Sequence, residues 1–390
     1  MIGRLTTRLE HLVATIFIPQ EQAAGERRVA ATPASVAKLR RTGIEVAVAS
    51  GAGSAARCSD DDYVAAGARI AEASAVGDAE VVARVAPPSL EEVAELASGT
   101  VLLSFIAPHR NLDVVAALAE RGVTTLAMEL VPRISRAQAI DALSSQANIS
   151  GYRAVITAAY ELDKYFPLFM TAAGTIKPAT LVVLGAGVAG LQAVATGRRL
   201  GAVVKVSDIR AAAKQEVASL GGTFIDIPSD EDLTGEGGYA KEAGEDFLTR
   251  QRRILSEHLS TAHAAITTAQ IPGRPAPLLL TTEMVEAMPP GAVVIDLAAA
   301  DGGNCELTET DRVVEHQGVR VLPGHELAST MPSEASTMYG NNIAAFVELF
   351  VADGTLELDL EDEVVAGALL THDGEVVHDR TADLLRGGER

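Results

Sequence analysis

The feature that most constrains the fold is a glycine-rich segment between two apolar strands in the middle of the chain. Leu181 to Leu184 form a predicted strand that runs straight into the sequence GAGVAG at 185–190, and a helix of small residues follows. A second predicted strand, Val203 to Val206, ends just before Asp208. Glycines at this spacing between a strand and a helix, with an acidic residue about 20 positions on, are typical of a dinucleotide-binding βαβ unit. The alternative is an ordinary βαβ unit with a glycine-rich turn.

Each glycine has a distinct predicted role. Gly185 permits a tight turn, Gly187 lets the backbone approach a pyrophosphate, and Gly190 lets helix and strand pack closely. The pyrophosphate would rest on the helix N-terminus, where unpaired N–H groups and the positive end of the dipole face it. The predicted nucleotide contacts of this unit are Gly185, Ala186, Gly187, Val188, Ala189, Gly190, Asp208, Ile209 and Arg210.

The residue after the second strand bears on which dinucleotide binds. We expect Asp208 to accept hydrogen bonds from the adenosine ribose hydroxyls, and its charge to repel a 2′-phosphate. Arg210 weakens this argument because an arginine at that place could tolerate a phosphate. The prediction is NAD(H) rather than NADP(H).

Charge and cysteine content exclude several classes. The 390-residue chain has a net charge of -20 and a pI of about 4.8, which argues against nucleic-acid or anionic-membrane binding. Cys58 and Cys305 lie far apart and form no metal-spaced pair, which predicts a reducing compartment and no structural metal. The apolar run 181–197 is explained by the glycine pattern rather than by a membrane span. The N-terminal residues do not resemble a secretory signal.

The first 125 residues alternate apolar strands and helices, which predicts a parallel sheet. Thr32 is the predicted N-cap of a helix that starts at Pro33. This stretch of the chain has no glycine fingerprint, so we do not expect it to bind the dinucleotide itself. The predicted elements are strands at 16–19, 45–49, 81–85 and 101–105 and helices at 33–42, 63–68 and 89–96.

Two long helical stretches, Ala137 to Leu162 and Ser333 to Val351, are suited to connecting two domains. The fingerprint domain lies between them, with predicted strands at 181–184, 203–206, 264–267 and 292–296. The tail from Leu358 is predicted to return to the first domain. The fold class is therefore α/β, with two Rossmann-like, doubly wound parallel-sheet domains joined by two long helices. The predicted domains are residues 1–136 plus 330–390, and residues 137–329 with a loop at 228–247.

That loop has no hydrophobic periodicity. It carries seven acidic residues and four glycines around Tyr239, the only aromatic residue before Phe247. A loop of this length inside a domain is either functional or disordered. A mobile arm that places the Tyr239 ring on a ligand and a solvated insertion are equally compatible with the composition.

Several further segments together resemble one family, the soluble NAD(H)-binding subunit of proton-translocating NAD(P) transhydrogenase. The segment from Arg133 to Asn148 resembles the family's Arg-Gln-Asp loop, and GGYAKEAGEDF at 237–247 resembles its mobile loop. The remaining matches are GERRVAATP at 25–33, TAQIPG at 268–273, DLAAADGGNC at 296–305 and LTHDGE at 370–375. The resemblance covers nearly everything after about residue 16.

The resemblance implies roles for individual residues. Arg133, Asp141 and Ser144 would bind the nicotinamide end of NAD(H), and Gln138 would reach toward the second nucleotide. Tyr239 would fold over the bound nucleotide, and the loop of Thr268, Ala269 and Gln270 would complete the site. The family usually has a methionine where Ala243 stands, so this side chain departs from the pattern.

The spacing of the upstream residues can also be interpreted physically. Gln138, Asp141 and Ser144 are three apart, which predicts that they lie on one helical face. Arg133 precedes that helix and can reach back to Asp141. Such a face offers donors and acceptors to the carboxamide of a nicotinamide. A salt bridge with a polar helix cap is the structural alternative.

Alanine dehydrogenase shares this fold and the GERRVAATP motif at 25–33, so it is the main alternative to a transhydrogenase. Dehydrogenation of an amino acid needs proton transfer together with hydride transfer. The resemblance to alanine dehydrogenase implies a lysine near the strand VARV at 82–85, where this chain has an arginine. It also implies a histidine as general acid/base in the segment VLLSFIAP at 101–108, which contains none. His109 follows a proline, in a loop. Hydride exchange between two nicotinamides moves no proton at the reacting carbons, so the missing histidine favours a transhydrogenase.

The resemblance therefore implies direct hydride transfer between NADH on this chain and NADP⁺ held by an NADP(H)-binding partner subunit. A separate membrane subunit would conduct the protons, and this chain would be a homodimer docked on the cytoplasmic face. With one fingerprint and no membrane span, the chain is not expected to bind NADP(H) at a second site or move protons alone. A stand-alone amino-acid dehydrogenase and a non-catalytic NAD(H) sensor are the alternatives.

Overall fold

The computed structural model describes residues 13–228, 244–271 and 273–387. Two units form separate contact networks. The first contains residues 13–143 and 332–387, and the second contains the described residues of 144–331. Tyr239, Ala243 and most of the predicted loop at 228–247 lie outside the described residues, while Glu245 to Phe247 begin a helix.

The regular elements alternate along most of the chain. The strands are β1 (Thr15–Ile18), β2 (Glu45–Ala49), β3 (Arg69–Ala71), β4 (Val81–Ala83), β5 (Val101–Ser104), β6 (Thr124–Ala127), β7 (Phe169–Thr171), β8 (Gly174–Ile176), β9 (Thr180–Leu184), β10 (Val203–Ser207), β11 (Thr223–Phe224), β12 (Ala264–Thr267), β13 (Val293–Asp296), β14 (Val314–His316), β15 (Val319–Pro323), β16 (Val351–Ala352), β17 (Thr355–Leu356), β18 (Leu369–His372) and β19 (Glu375–Val376). The helices are α1 (Pro33–Leu39), α2 (Asp60–Ala65), α3 (Leu90–Glu95), α4 (Leu112–Glu120), α5 (Ala142–Glu161), α6 (Val188–Arg199), α7 (Ala213–Ser219), α8 (Glu245–Leu259), α9 (Thr282–Glu286), α10 (Pro332–Val347), α11 (Glu363–Ala368) and α12 (Asp379–Gly387).

The first unit is built on one sheet whose described strands run in the order β19-β18-β6-β5-β4-β1-β2-β3. Strands β1 to β6 are parallel, and β18 pairs with β6 in the antiparallel sense. The chain order reverses between β4 and β1, so the carboxyl ends of these two strands flank a topological switch point. The prediction that the tail returns to this domain is confirmed, because β18 and β19 extend its sheet.

Local signals define the helices of this unit. Thr32 is the N-cap of α1, as predicted, and its backbone N–H donates to the Ser35 hydroxyl at 2.8 Å. Helix α3 begins with a capping box in which Ser89 and Glu92 bond each other's backbone N–H groups. Such reciprocal bonds satisfy donors that have no intrahelical acceptor, so each helix begins where its cap residue stands.

The second unit is built on a sheet with the order β11-β10-β9-β12-β13-β15-β14 among the described strands. All neighbours are parallel except β14, which is antiparallel to β15. Every residue of β12 and β13 is buried, and so is β9 after Thr180. Strands covered on both faces are near-continuous apolar runs. The four strands predicted for this domain are present, which confirms the doubly wound α/β fold class.

The first long helix begins later than predicted. Helix α5 starts at Ala142, whereas the sequence pattern placed its start at Ala137. A short 3-10 helix ends at Ala137, and Gln138 lies in the turn that follows. Ala137 and Ile140 are both buried and anchor this turn, with the Ile140 N–H donating to the Ala137 carbonyl at 2.8 Å. Burial of these apolar side chains therefore interrupts a stretch of good helix formers.

Candidate nucleotide-binding site

The glycine segment forms a tight turn at the carboxyl end of β9. Gly185 has φ of 103°, in the left-handed region, and its N–H donates to the Ser207 carbonyl at 2.8 Å. Gly187 is the N-cap of α6, and the helix begins at Val188. The strand, turn and helix therefore follow one another as the glycine pattern predicted.

The three glycines are constrained in different ways. A Cβ on Gly190 would lie 1.9 Å from the Gly185 carbonyl oxygen, and one on Gly185 would lie 2.5 Å from the Thr268 hydroxyl oxygen. A Cβ on Gly187 would have no heavy atom within 4 Å. The first and third glycines thus allow close packing, while the second leaves open space before the helix.

This open space leaves the N-terminus of α6 accessible to an anion. The first backbone N–H groups of an α-helix have no acceptor within the helix, and the dipole makes this end positive. In α6 these groups belong to Val188, Ala189 and Gly190. An anion in front of Gly187 would meet these donors without a side chain in between. The nucleotide contacts of 185–190 remain a prediction, with which this backbone geometry is compatible.

Asp208 supports the glycine turn from the next strand. Its side chain is 7% exposed, and Oδ2 accepts the Ala186 N–H at 2.7 Å. Oδ1 accepts the Arg210 N–H at 2.8 Å, and the Arg210 guanidinium binds both carboxylate oxygens at 2.9 and 2.8 Å. Ile209 lies between the two paired residues. The carboxylate therefore stabilises the turn, and its contact with a ribose remains a prediction.

The pairing with Arg210 changes the electrostatics expected of Asp208. Burial raises the pKa of Asp208, but the hydrogen bonds from Arg210 and Ala186 outweigh burial and hold the pKa below its usual value. A carboxylate offers about four acceptor positions, and the contacts from Ala186 and Arg210 number four. A ribose hydroxyl would therefore compete with the guanidinium for Asp208, and Arg210 offsets the charge that would repel a 2′-phosphate.

The loop after β12 lies beside the glycine turn. The Thr268 hydroxyl donates to the Gly185 carbonyl at 3.1 Å, and the Thr268 N–H donates to the Leu184 carbonyl at 2.8 Å. The Ala269 N–H donates to Oδ1 of Asn304 at 3.0 Å. The structure therefore brings together the glycine turn, Asp208 and Thr268 to Gln270, although no sequence spacing connects them.

The supporting residues Asp296 and Asn304 were not among the predicted site residues. Asp296 is completely buried and accepts hydrogen bonds from Thr267, Thr308 and the backbone N–H groups of Ala298, Asn304 and Cys305. Asn304 in turn holds the Ala269 backbone through both its amide oxygen and nitrogen. The sequence does contain a signal for this role, since Asp296 ends an apolar strand. A carboxylate buried there needs several hydrogen-bond donors, which indicates that it organises the loops around it.

The residues predicted to bind the nicotinamide are divided between the two units. Arg133, Gln138 and Asp141 belong to the first unit, and Ser144 begins the second. The prediction that Gln138, Asp141 and Ser144 share one helical face is wrong, because Gln138 lies in a turn and Asp141 directly precedes α5. Ser144 alone of the three lies within the helix. Their contacts with a nicotinamide remain a prediction.

In the described ranges, no helix has the length and apolar character needed to cross a membrane. The same residues contain no cluster of three or more His, Cys, Asp or Glu side chains placed to hold a metal ion.

Comparison with known protein families matches almost the whole chain. Residues 17–150 match the family described as "Alanine dehydrogenase/PNT, N-terminal domain", and residues 154–379 match "Alanine dehydrogenase/PNT, C-terminal domain". The two matches adjoin within α5.

Among curated relatives, the first portion of the NAD(P) transhydrogenase alpha subunit of Rhodospirillum rubrum is 48% identical over 374 residues, covering 93% of this chain and 97% of that protein. "NAD(P) transhydrogenase subunit alpha" of Haemophilus influenzae is 42% identical over 365 residues, covering 93% and 71%. "Alanine dehydrogenase" of Mycolicibacterium smegmatis is 27% identical over 376 residues, covering 94% and 95%.

Among solved structures, the transhydrogenase from Sinorhizobium meliloti superimposes with a TM-score of 0.85 at 46% identity. The match covers 93% of this chain and 100% of that chain.

Proposed function

The chain belongs to the alanine dehydrogenase/PNT family, among the NAD(P) transhydrogenase alpha subunits. We propose that it binds NAD(H) and exchanges hydride directly with NADP(H) that a partner subunit holds. The observation that carries the nucleotide assignment is the open space at Gly187, in front of the N-terminus of α6. The higher identity to transhydrogenase subunits than to an alanine dehydrogenase supports the choice of reaction.

The segment after β5 also supports this choice. A stand-alone amino-acid dehydrogenase needs a group that exchanges a proton with its substrate. At the carboxyl end of β5, Phe105 to Pro108 contain no side chain that titrates. Exchange between two nicotinamides requires no proton transfer at the reacting carbons. The composition of this loop is therefore compatible with a transhydrogenase and less suited to a dehydrogenase.

The contribution of this chain to catalysis is mainly positioning. Bound NADH supplies the hydride at its nicotinamide C4. Holding two reacting carbons about 3–3.5 Å apart in alignment can contribute roughly 7–11 kcal/mol. We propose that Arg133, Asp141 and Ser144 orient the NADH ring and that Gln138 helps seat the facing nicotinamide. Gln138 is suited to reach outward because it lies in a turn rather than within α5.

The remaining functions belong, in this proposal, to other subunits. A partner subunit binds NADP(H), and a membrane subunit couples the hydride transfer to proton translocation. This chain is then peripheral to the membrane, on its cytoplasmic face, bound through these partners. The net charge of -20 supports contact with protein partners rather than with anionic lipid.

We also propose that the chain forms a homodimer through the hairpin of β7 and β8. These strands form a two-stranded sheet of their own, and all six of their residues are exposed. Met170 is 70% exposed, and Leu168 and Phe169 beside it are 54% and 44% exposed. Tyr165 stacks on Phe169 with ring centroids 5.2 Å apart. An exposed apolar patch of this kind typically marks a protein interface.

A mixed assay separates the proposed function from its alternatives. The chain is combined with an NADP(H)-binding subunit of a transhydrogenase, and reduction of an NADP⁺ analogue by NADH is followed. We expect transfer only when both proteins are present. The chain alone is assayed in parallel with NADH, pyruvate and ammonia, where turnover would identify an amino-acid dehydrogenase. NADH binding with no activity in either assay would identify a sensor.

A further inference from the structure

The turn that carries Gln138 is held in place by the C-terminal part of the chain. A short 3-10 helix, Ser135–Ala137, and a turn at 138–140 precede α5. The proposed function assigns Gln138 to the facing nicotinamide, and this residue is exposed. An exposed side chain is placed mainly by its own backbone, and a misplacement of about 1 Å can cost roughly 100-fold in rate. The contacts of this turn therefore bear on catalysis.

An ion pair joins this turn to the beginning of α11. Nη2 of Arg136 donates to Oδ1 and Oδ2 of Asp362, at 2.7 Å in each case. Asp362 is the N-cap of α11, and its Oδ1 also accepts the N–H groups of Val364 and Val365 at 2.8 and 3.2 Å. The hydrogen bond from Arg136, with smaller contributions from these N–H groups, lowers the pKa of the Asp362 carboxyl. The helix therefore holds an ionised carboxylate in front of Arg136.

Two further contacts hold the ends of this segment. Asn342 of α10 is 7% exposed, and its Nδ2 donates to the Ala139 carbonyl at 2.8 Å. At the other end, Pro132 lies so close to α11 that a Cβ added to Gly367 would be 2.9 Å from the proline Cδ. All of these residues belong to the first unit. The ion pair therefore holds the middle of a segment whose two ends are already fixed.

We propose that Arg136 and Asp362 are positioning residues for the hydride transfer, because their ion pair fixes the turn that presents Gln138. This inference rests on the proposed function, in which Gln138 helps seat the nicotinamide of NADP(H). The Arg136 side chain is 52% exposed, and ion pairs this exposed contribute little to global stability. Removing the pair should therefore leave the fold intact and lower the rate of transfer.

The mixed assay with saturating nucleotides tests the role of Arg136. In Arg136→Ala, we expect hydride transfer to fall by roughly tenfold, with the Kd for NADH from calorimetry within about twofold of wild type. Arg136→Lys should keep most of the rate, because both hydrogen bonds come from one nitrogen, which an ammonium group can replace. The matched control is Arg386→Ala, which removes an exposed ion pair with Asp383 in α12 and should transfer hydride as the wild type does. A wild-type rate in Arg136→Ala, or a weaker NADH affinity with an unchanged rate, would overturn the proposal.

A double-mutant cycle tests whether the two residues act as a pair. Asp362→Asn removes the charge but keeps a side-chain oxygen for the N-cap, since asparagine caps helices about as well as aspartate. If the pair fixes the turn, Arg136→Ala combined with Asp362→Asn should slow transfer no more than Arg136→Ala alone. Single effects that multiply in the double variant would show that the two residues act separately, and would refute the pairing.

Hydrogen exchange of the turn needs neither nucleotide nor partner subunit. The N–H groups of Ala137 and Ile140 donate to the carbonyls of Ile134 and Ala137 at 3.0 and 2.8 Å. Both should exchange several-fold faster in Arg136→Ala than in the wild type or in Arg386→Ala, because the turn opens more often. Unchanged exchange would overturn the proposal, even if transfer is slower. No transfer by the wild type would refute the proposed function together with this role, whereas equal transfer by the wild type and Arg136→Ala would refute this inference alone.

Discussion

The substitution Gly187→Ala separates nucleotide binding from folding. The added Cβ would meet no heavy atom of the protein within 4 Å, and Gly187 has φ of −73°, which any residue can adopt. The folded state therefore accepts the methyl group without strain. Replacing a glycine at such a position usually stabilises a protein by about 0.4–1 kcal/mol, because the unfolded chain loses freedom.

The same methyl group lies where the pyrophosphate is proposed to approach α6. Hydrogen bonds to a charged group contribute roughly 1.5–3 kcal/mol each. Displacing the diphosphate from one such N–H group would cost about 1.5–3 kcal/mol, which is roughly a 10- to 150-fold increase in the Kd for NADH. The variant should therefore be at least as stable as the wild type and bind NADH at least tenfold more weakly.

Two measurements check this prediction. Urea unfolding gives the free energy of unfolding without nucleotide, and calorimetric titration gives the Kd for NADH. The matched control is Gly387→Ala, at another glycine whose Cβ would meet nothing within 4 Å. Gly190→Ala is the contrasting variant, since its Cβ would lie 1.9 Å from the Gly185 carbonyl and should destabilise the fold by about 1–3 kcal/mol. An NADH Kd within twofold of wild type in Gly187→Ala would refute the placement of the pyrophosphate.

Three further predictions concern selectivity, catalysis and assembly. Asp208→Asn should weaken NADH binding and leave Arg210 able to bind a 2′-phosphate, and so lower the preference for NADH over NADPH. Calorimetry with both nucleotides measures this preference as the ratio of the two Kd values. An unchanged ratio would contradict the proposed role of Asp208 in selectivity. Because the pKa of Asp208 is lowered in the folded state, the ionised carboxylate stabilises the fold above the unfolded pKa of about 3.9, and this stabilisation is lost as the pH falls through the folded pKa. Acid unfolding of Asp208→Asn should therefore lack this part of the pH dependence. Gln138→Asn should reduce hydride transfer in the mixed complex by roughly tenfold, about 1.4 kcal/mol, with NADH affinity nearly intact; a large loss of NADH binding would rule out its reach toward the second nucleotide. Met170→Asp should shift the chain from dimer to monomer in analytical ultracentrifugation, whereas the control Val64→Asp, at another exposed apolar residue, should not; a dimer that survives Met170→Asp would exclude the hairpin as its interface.

Several features of the fold and site could be predicted because their signals are local. The strand, the glycines at 185–190 and the following helix depend on neighbouring residues, and so does the N-cap at Thr32. The departures have long-range causes. Helix α5 starts at Ala142 rather than at the predicted Ala137, because the burial of Ala137 and Ile140 in the preceding turn outweighs helix propensity. Such burial depends on residues that are distant in the chain.

The sequence by itself therefore determined the class of fold, the glycine turn and the family to which the chain belongs. Only the tertiary structure decided that Arg210 occupies the carboxylate of Asp208, and that Asp296 and Asn304 support the loop at Thr268 to Gln270. Within the described ranges, it also left Nε and Nη2 of the buried Arg84 without a hydrogen-bond partner. The physical reason is that spacing along the chain sets backbone conformation, whereas the pairing of a buried charge depends on which strands the sheet brings side by side.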